Sequence, residues 1–414
     1  MVLVFLALCI FAAFVLHPMY IITTALFVRK LQQPPPTNEN AVWPRVSVLV
    51  CVRGVDPSLL RTLERLMRQD YPDYELRVVV DSTQDHAWPQ VQALARSSGV
   101  KIDVQPLRQR LRTCSLKCSA LVQMIDELDP RSEVIALCDS DLDIGEDWLR
   151  KLVAPLADPQ IGAVTGIRWF RPRRGQFGSN LRKLWVNLST IWQAITNSPW
   201  GGSLAIRRSA FEQADLAQLW RQSIVDDTPV RMALAQLGLR VYATPALIVP
   251  SSEECTLPFA FNFVSRQLMW LRLYDPIWSV IQLHALDTLG AAAVPAVMAV
   301  VAFLVGDLEL AAITGSLFVL YLLTIGVCVR VIDAVVDNRL AARELPPNGD
   351  SWLRAVREAA ALLALPFFHV ATVVNTSSRQ QIDWRGVKYL IHSPTQIELI
   401  EDRPWQLETS EHSI

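Results

Sequence analysis

The chain has 414 residues, of which 51% are hydrophobic and 19% are charged. That is too apolar for an ordinary soluble enzyme and too polar for a protein built only of membrane helices, so the apolar excess should lie in a few segments. The 39 basic and 40 acidic residues leave a formal net charge of -1, and this lack of a basic field argues against nucleic acid as a partner. The seven cysteines are scattered without a Cys-x-x-Cys, which indicates reduced thiols.

The first apolar segment predicts a membrane anchor over residues 1–30. No charged residue occurs in positions 1–28, a stretch long enough to cross a bilayer as a helix. The run is too long for a secretory signal and shows no clear cleavage site, so we predict an uncleaved anchor. Arg29 and Lys30 follow at once, which by the positive-inside rule places the N-terminus outside and the next domain on the cytosolic face.

Residues 44–275 have the pattern of one α/β domain. The apolar run of residues 46–52 is typical of a buried parallel strand, and residues 59–67 have helical spacing. Residues 76–80 and 134–138 predict two further strands, so strands and helices alternate as in a doubly wound sheet. Ligands of such sheets bind beyond the carboxyl ends of the strands. The polar residues found at those ends are Arg53, Asp81, Asp139 and Asp141.

Two carboxylates leave the strand of residues 134–138 as Asp139-Ser140-Asp141. Spaced in this way they can converge on one Mg²⁺ or Mn²⁺ ion, which prefers oxygen ligands and often shares them with substrate phosphates. The chain has no Gly-x-Gly-x-x-Gly and no Walker A motif, so phosphates must be held by a metal or by basic side chains. The alternative is a solvated acidic turn, which the buried strand before it disfavours.

Two later pairs are also candidates. Asp226-Asp227 precedes a helical pattern, where one aspartate could cap the helix and one could act as a general base with a pKa raised by its neighbour. Arg266 and Trp270 are four residues apart and share a helix face. They are either an interfacial pair near the bilayer, or an arginine on a leaving diphosphate with an indole beside the acceptor.

The other helical segments carry open alternatives. The amphipathic helix of residues 181–195 contains two tryptophans and either packs on the sheet or lies at the membrane interface. Within residues 278–376, two charge-free runs, 289–305 and 310–329, flank an acidic turn and predict a hairpin with its turn outside. The run 359–374 contains Pro366 and either crosses or lies re-entrant or interfacial. If it crosses, counting places the tail, residues 377–414, outside.

Taken in order, these elements resemble family-2 type glycosyltransferases and, among them, the ceramide glucosyltransferase-like branch. The resemblance covers about residues 46–273, with one anchor before the catalytic domain and apolar segments after it. Its elements are the first strand with Arg53, Asp81, Asp139-x-Asp141, Asp226-Asp227, Arg266-x-x-x-Trp270, the stretch Trp200-Gly201-Gly202-Ser203 with Arg207-Arg208, and a tail with Trp384-Arg385 and Tyr389.

The resemblance implies a GT-A (Rossmann-like) fold and inverting transfer from a UDP-sugar. Asp81 would contact the uridine, and Lys117 lies where the family often has a donor-binding lysine. Asp139 and Asp141 would hold ribose, a Mg²⁺ or Mn²⁺ ion and diphosphate, and Asp227 would be the base on a lipid hydroxyl. The family's closing motif has Arg before Trp, whereas this chain has Met269, which leaves the diphosphate contact to Arg266 or Arg272.

The function predicted in this way is transfer of a hexose, in the first place glucose, onto a lipid such as ceramide. A processive polysaccharide synthase is the second enzyme class, although few apolar segments are available for a polymer channel. Hopanoid, diacylglycerol and polyprenyl phosphate are alternative acceptors. A catalytically silent membrane scaffold is suggested by Met269 and opposed by the presence of Asp139, Asp141 and Asp227. The sequence does not indicate an oligomeric state.

Overall fold

A seven-stranded mixed sheet is the centre of the structure, a computed structural model that describes residues 2–34, 43–97, 102–341 and 352–404. The strand order is β3-β2-β1-β4-β6-β5-β7. The strands are β1 (Val46–Val52), β2 (Tyr74–Val80), β3 (Ile102–Pro106), β4 (Val134–Asp139), β5 (Ile161–Phe170), β6 (Ser203–Arg207) and β7 (Arg240–Ser251).

Helices cover both faces of this sheet, and a long helix precedes it. They are α1 (Val2–Leu31), α2 (Leu59–Met67), α3 (Ala87–Ser97), α4 (Leu116–Ile125), α5 (Trp148–Val153), α6 (Phe177–Thr196), α7 (Arg208–Gln213), α8 (Leu216–Trp220) and α9 (Thr228–Gln236). Two large apolar clusters, one centred on α2 and α5 and one on α4 and α8, pack on opposite sides of the sheet. The sheet is therefore buried on both faces, which explains the near-continuous apolar runs of its strands.

The predicted strands are confirmed, and their register brings their polar ends together. β1 pairs in parallel with both β2 and β4, with Val52 opposite Val80 and Cys51 opposite Asp139. The expected parallel sheet is only partly present, because β6 runs antiparallel to both β4 and β5. No local pattern distinguishes an antiparallel buried strand from a parallel one, so only the assembled sheet decides its direction.

The C-terminal half contains four long helices, α10 (Leu257–Tyr274), α11 (Trp278–Leu304), α12 (Leu308–Leu340) and α13 (Trp352–Ser378). Within the described residues, α11, α12 and α13 are long and apolar enough to cross a membrane. α11 and α12 form the predicted hairpin about Gly306, whose φ is +84°, and α1 packs against both. The segment predicted as an anchor is thus helical and joins the other apolar helices.

Both ends of α13 contact the layer of helices that covers the sheet. Near its start, Glu358 lies 3.2 Å from the ammonium of Lys183 on α6. Near its end, the Thr376 hydroxyl donates to the Ser265 carbonyl of α10 at 3.1 Å. A 27-residue helix is roughly 40 Å long, so a helix perpendicular to that layer could touch it at one end only. α13 therefore lies alongside α6 and α10, as the interfacial alternative expects.

This placement of α13 keeps the C-terminal tail beside the catalytic sheet. Three antiparallel strands, β8 (Gln381–Trp384), β9 (Val387–Ser393) and β10 (Gln396–Asp402), form a small second sheet. The Tyr389 hydroxyl accepts a hydrogen bond from the Leu116 amide of α4 at 2.9 Å. The C-terminal sheet therefore packs on the catalytic domain, whereas counting all four apolar segments as crossings predicted that the two would be separated.

The amphipathic helix α6 fills the space between the sheet and the apolar helices. The Asn187 side chain accepts from the Phe170 amide and donates to the Phe170 carbonyl, at 2.9 and 3.0 Å. Trp185 is buried and donates to His369 of α13 at 3.0 Å, whereas Trp192 is 44% exposed. α6 therefore packs on the sheet along one face, and only part of it remains open at the surface.

One glycine sets how closely α6 approaches α10. A Cβ atom at Gly178 would overlap the backbone of Thr256 and Leu257, and backbone yields less readily than a flexible side chain. We expect Gly178→Ala to lower the free energy of unfolding by roughly 1–3 kcal/mol, measured as a lower thermal unfolding midpoint in detergent. Gly290→Ala, where nothing lies within 4 Å, is the matched control. Equal behaviour of the two variants would contradict this packing.

Candidate active site

One cleft at the carboxyl ends of β1, β2 and β4 contains the residues that the sequence singled out for chemistry, with the exception of Arg272. The cleft encloses a cavity of about 180 Å³. The predicted residues that line it are Arg53, Asp81, Lys117, Asp139, Asp141, Asp227, Arg266 and Trp270. The structure thus brings them together, while their individual roles stay predictions.

Asp81 and Arg53 form a charged pair at one end of the cleft. Arg53 and Arg110 both pair with Asp81 Oδ2, the second at 2.9 Å. Burial raises the pKa of Asp81, although both arginines act to lower it. Asp81 Oδ1 is buried and has no hydrogen-bond partner within the described residues. It is therefore a free acceptor that a ligand N–H could satisfy.

Lys117 connects two acidic residues in the middle of the cleft. Its ammonium lies 2.7 Å from Asp139 Oδ1 and 3.1 Å from Asp226 Oδ2, the second an ion pair too bent for a hydrogen bond. Burial disfavours the ammonium, but Asp139 and Asp226 outweigh it and hold the pKa of Lys117 well above its usual value. Lys117 is therefore charged and fixed in position.

Asp139 and Asp141 have the properties of a divalent metal site. Burial and then the charge of Asp139 raise the pKa of Asp141, while Lys117 overcomes the effect of burial and lowers the pKa of Asp139. Two neighbouring carboxylates that repel each other are stabilised by a cation. No group of three metal-ligating side chains occurs within the described residues. This agrees with an ion held by two carboxylates and completed by substrate phosphates.

Asp226 and Asp227 occupy different environments despite being adjacent. Asp227 caps α9, because its Oδ1 accepts from the Thr228 backbone amide. The same oxygen accepts from the Thr228 hydroxyl at 2.9 Å, and Oδ2 accepts from the Gly201 amide at 2.7 Å. Asp226 is only 3% exposed. Burial raises the pKa of Asp226 to about 6; Lys117 lowers it, while Asp227 and Asp139 add to the increase. Asp227 therefore both caps α9 and lines the cleft.

Gly201 and Gly202 leave room for the acidic side chains. A Cβ atom at Gly201 would overlap the Asp226 carboxylate, and one at Gly202 would overlap the Trp200 ring and lie 2.6 Å from Asp139 Oδ2. The Gly202 carbonyl also accepts from the Asp139 amide at 3.1 Å. The Trp200-Gly201-Gly202-Ser203 stretch therefore shapes the floor of the cleft.

The structure separates the two arginines that the sequence left as alternatives beside Met269. Arg266 lines the cleft, where burial and then Arg385 and Arg168 lower its pKa to about 10. Arg272 donates instead to the Thr376 carbonyl at the end of α13, at 2.6 Å. Met269 is fully buried among the apolar residues of the C-terminal sheet. Position 269 thus serves packing, and Arg266 is the arginine of this helix that faces the cleft.

Two further arginines line the cleft without having been assigned a role from the sequence, Arg168 of β5 and Arg385 of the turn after β8. Arg385 was recognised only as part of the tail pattern. Arg168 stands alone among apolar neighbours, Ile167 and Trp169, and a single charge inside an apolar strand is the signal that could have revealed it. Asp56 pairs with Arg385, and Asp402 pairs with Arg53. Neither aspartate lies in a sequence pattern that would have revealed it.

The comparison with protein families agrees with this geometry. The profile of glycosyl transferase family 21 matches residues 8–397, nearly the whole chain. The chain belongs to glycosyltransferase family 21. The prediction of a glycosyltransferase is therefore confirmed.

The first of two similar solved structures confirms the GT-A fold. A mannosyltransferase from Pyrobaculum calidifontis, in complex with GDP-Man and Mn²⁺, is 18% identical with a TM-score of 0.50, over 89% of this chain and 98% of that chain. Glucosyl-3-phosphoglycerate synthase from Mycobacterium tuberculosis, with Mn²⁺ and UDP, is 16% identical with a TM-score of 0.35, over 55% of this chain and 80% of that chain. At such identities the first likeness shows the fold alone.

The glycine floor of the cleft gives a direct test of its geometry. We expect Gly201→Ala to displace the Asp226 carboxylate and to reduce the rate of sugar transfer by roughly tenfold or more, with the thermal unfolding midpoint measured alongside. Gly315→Ala, whose nearest neighbour atom would be 3.9 Å from the new Cβ, is the control and should keep full activity. Full activity of Gly201→Ala would show that the carboxylate position is not needed.

Proposed function

We propose that this glycosyltransferase moves a hexose, in the first place glucose, from a UDP-sugar to the hydroxyl of a membrane lipid such as ceramide, with inversion at the sugar. The observation that carries the proposal is the joint placement in one cleft of the Asp139–Asp141 carboxylate pair, an aspartate that caps a helix, and arginines with no ion pair within the described residues. A diphosphate donor needs the carboxylate pair and the arginines, and a hydroxyl acceptor needs the aspartate as a base.

The donor end of the cleft is the part around Asp81. Its free Oδ1 suits the N–H of a uracil ring, which supports a UDP-sugar. Asp139 and Asp141 would hold Mg²⁺ or Mn²⁺, and the bound ion would neutralise charge on the departing diphosphate. The mannosyltransferase of the same fold is bound to GDP-Man and Mn²⁺, so a guanine nucleotide is the alternative donor that experiments must include.

The acceptor end is aromatic and leads to the apolar helices. Phe263, Trp270 and Trp384 line the cleft, and α10, which carries the first two, ends only four residues before α11 begins. A lipid whose chains lie among the apolar helices would therefore present its hydroxyl at this end. The same arrangement supports the other lipid acceptors, and only a few apolar helices are available to enclose a growing polysaccharide.

Asp227 is the proposed general base. Its hydrogen bonds from Gly201 and Thr228 hold the carboxylate in one orientation, so that it can accept the proton as the lipid oxygen attacks the anomeric carbon. Lys117 keeps Asp139 and Asp226 in place during this step.

The cytosolic face is the proposed location of the catalytic domain. If α1, α11 and α12 cross the membrane and α13 lies along the interface, the catalytic domain and the C-terminal sheet share one side. That side carries Arg29 and Lys30 in the last turn of α1 and Arg330 and Arg339 toward the end of α12, in agreement with the positive-inside rule.

Transfer activity is the decisive measurement. Purified membranes with labelled UDP-glucose, other UDP-hexoses or GDP-mannose, Mn²⁺ or Mg²⁺ and a lipid extract should move label into the lipid phase. Asp139→Ala and Asp141→Ala should each lower transfer by at least about a hundredfold, while Asp126→Ala, an exposed carboxylate paired with Arg221, should not. Absence of transfer from every donor would support the silent scaffold instead.

The two adjacent aspartates can be separated by amide substitutions. Asp227→Asn should lower kcat by roughly 10²–10⁴-fold with little change in KM, because the amide cannot accept the proton. Asp226→Asn removes a counter-charge from Lys117 and should have a smaller effect on kcat. Initial rates at saturating donor distinguish the two, and the reverse order of effects would assign the base to Asp226.

A further inference from the structure

Two arginines, Arg168 and Arg266, face the cleft without an ion-pair partner within the described residues. Arg168 lies over the rings of Phe170, Trp200 and Phe263 at 4.5, 5.5 and 5.4 Å from their centroids, and its Nε is buried without a hydrogen-bond partner within the described residues. Arg266 lies over Phe263 and Trp384 at 5.6 and 5.8 Å. Neither forms an ion pair in the described parts of the chain. Aromatic faces hold these guanidinium groups but do not neutralise them.

A third guanidinium reaches the cleft from the C-terminal sheet. Arg385 and Gly386 form the two-residue turn between β8 and β9, with φ of +48° and +78°, a conformation that disfavours any residue with a side chain. Arg385 donates to Asp56 Oδ2 at 2.8 Å and to the Arg53 carbonyl, and its own carbonyl accepts from Arg53 Nε at 3.0 Å. The surrounding contacts therefore hold Arg385 in a strained backbone position.

Arg168, Arg266 and Arg385 line the same part of the cleft. Asp139 and Asp141 line it as well, and Arg168 and Arg266 lie over the same Phe263 ring, at 5.4 and 5.6 Å from its centroid. The three arginines are thus close to one another and to the carboxylate pair. Because Arg168 and Arg266 have no ion-pair partner within the described residues, an anion that enters the cleft can take that place. Arginine binds phosphate oxygens with two parallel hydrogen bonds, which makes a diphosphate the matching anion.

We propose that Arg168, Arg266 and Arg385 together bind the diphosphate of the donor, so that β5 and the C-terminal hairpin replace the motif arginine that is Met269 here. The inference rests on the proposed function. In the transfer, the bond from the anomeric carbon to the diphosphate oxygen breaks and its electron pair stays on that oxygen. A new bond forms to the lipid oxygen, whose proton goes to Asp227. The arginines stabilise the charge that the diphosphate gains.

The difference in affinity between a nucleoside and its diphosphate measures this contact. For the full-length protein in detergent with Mn²⁺, the Kd values of uridine and UDP, and of guanosine and GDP, should be measured by calorimetry. We expect Arg168→Gln and Arg385→Gln each to reduce the preference for the diphosphate by roughly tenfold or more, with nucleoside affinity unchanged. Lys388→Gln is the matched control on the C-terminal sheet, because Lys388 pairs with Glu401 at 2.8 Å.

These measurements distinguish failure of the arginine site from failure of the proposed function. Unchanged diphosphate preference in both variants overturns the arginine site and leaves the proposed function standing. A wild-type protein that binds neither UDP nor GDP more tightly than the nucleosides overturns both. Since Arg385→Gln could also loosen the hairpin, Arg385→Lys and the unfolding midpoint are measured alongside. If Arg385→Lys retains part of the preference for UDP over uridine at an unchanged unfolding midpoint, Arg385 contacts the diphosphate through its charge. If Arg385→Gln loses affinity for the nucleoside and also has a lower unfolding midpoint, the charge contact is contradicted.

Discussion

The ion pairs of Lys117 with Asp139 and Asp226 are the constraint on which the site depends. They join the start of α4, the end of β4 and the loop before α9, three segments that are far apart in the chain. Removing ions from water is expensive, and their attraction repays that cost only in a well-fixed geometry. The glycine floor under these carboxylates is part of the same arrangement, because any side chain there would push them apart.

The C-terminal sheet is coupled to this centre through a second set of charges. Arg53 pairs with Asp81 and with Asp402 of β10, while Arg385 binds Asp56. The donor end of the cleft is therefore built from both ends of the chain. This arrangement is possible only because α13 runs alongside the catalytic domain instead of crossing away from it, so the path of one apolar helix decides whether the cleft is complete.

The expectations from the sequence succeeded where a local pattern carries the information. Strand β1 was predicted with its observed bounds because burial on both faces makes it continuously apolar. Asp139 and Asp141 were placed in a site because they follow a buried strand. Arg168 was missed because β5 was not among the predicted strands, so its charge between two apolar residues was not placed inside a strand. The choice between Arg266 and Arg272 stayed open because both lie on one helix within two turns.

By itself, the sequence determined that the chain is a glycosyltransferase with a GT-A domain and long apolar helices, and at which edge of the sheet the acidic residues meet. The periodicity of apolar residues and the position of polar residues at strand ends are local properties, so they can be recognised in a single sequence. Only the tertiary structure showed that β6 is antiparallel, that α13 lies alongside α6 and α10, and that Arg385 lines the cleft. These depend on contacts between residues up to about 330 positions apart, such as Arg385 with Asp56, and no local pattern records such contacts.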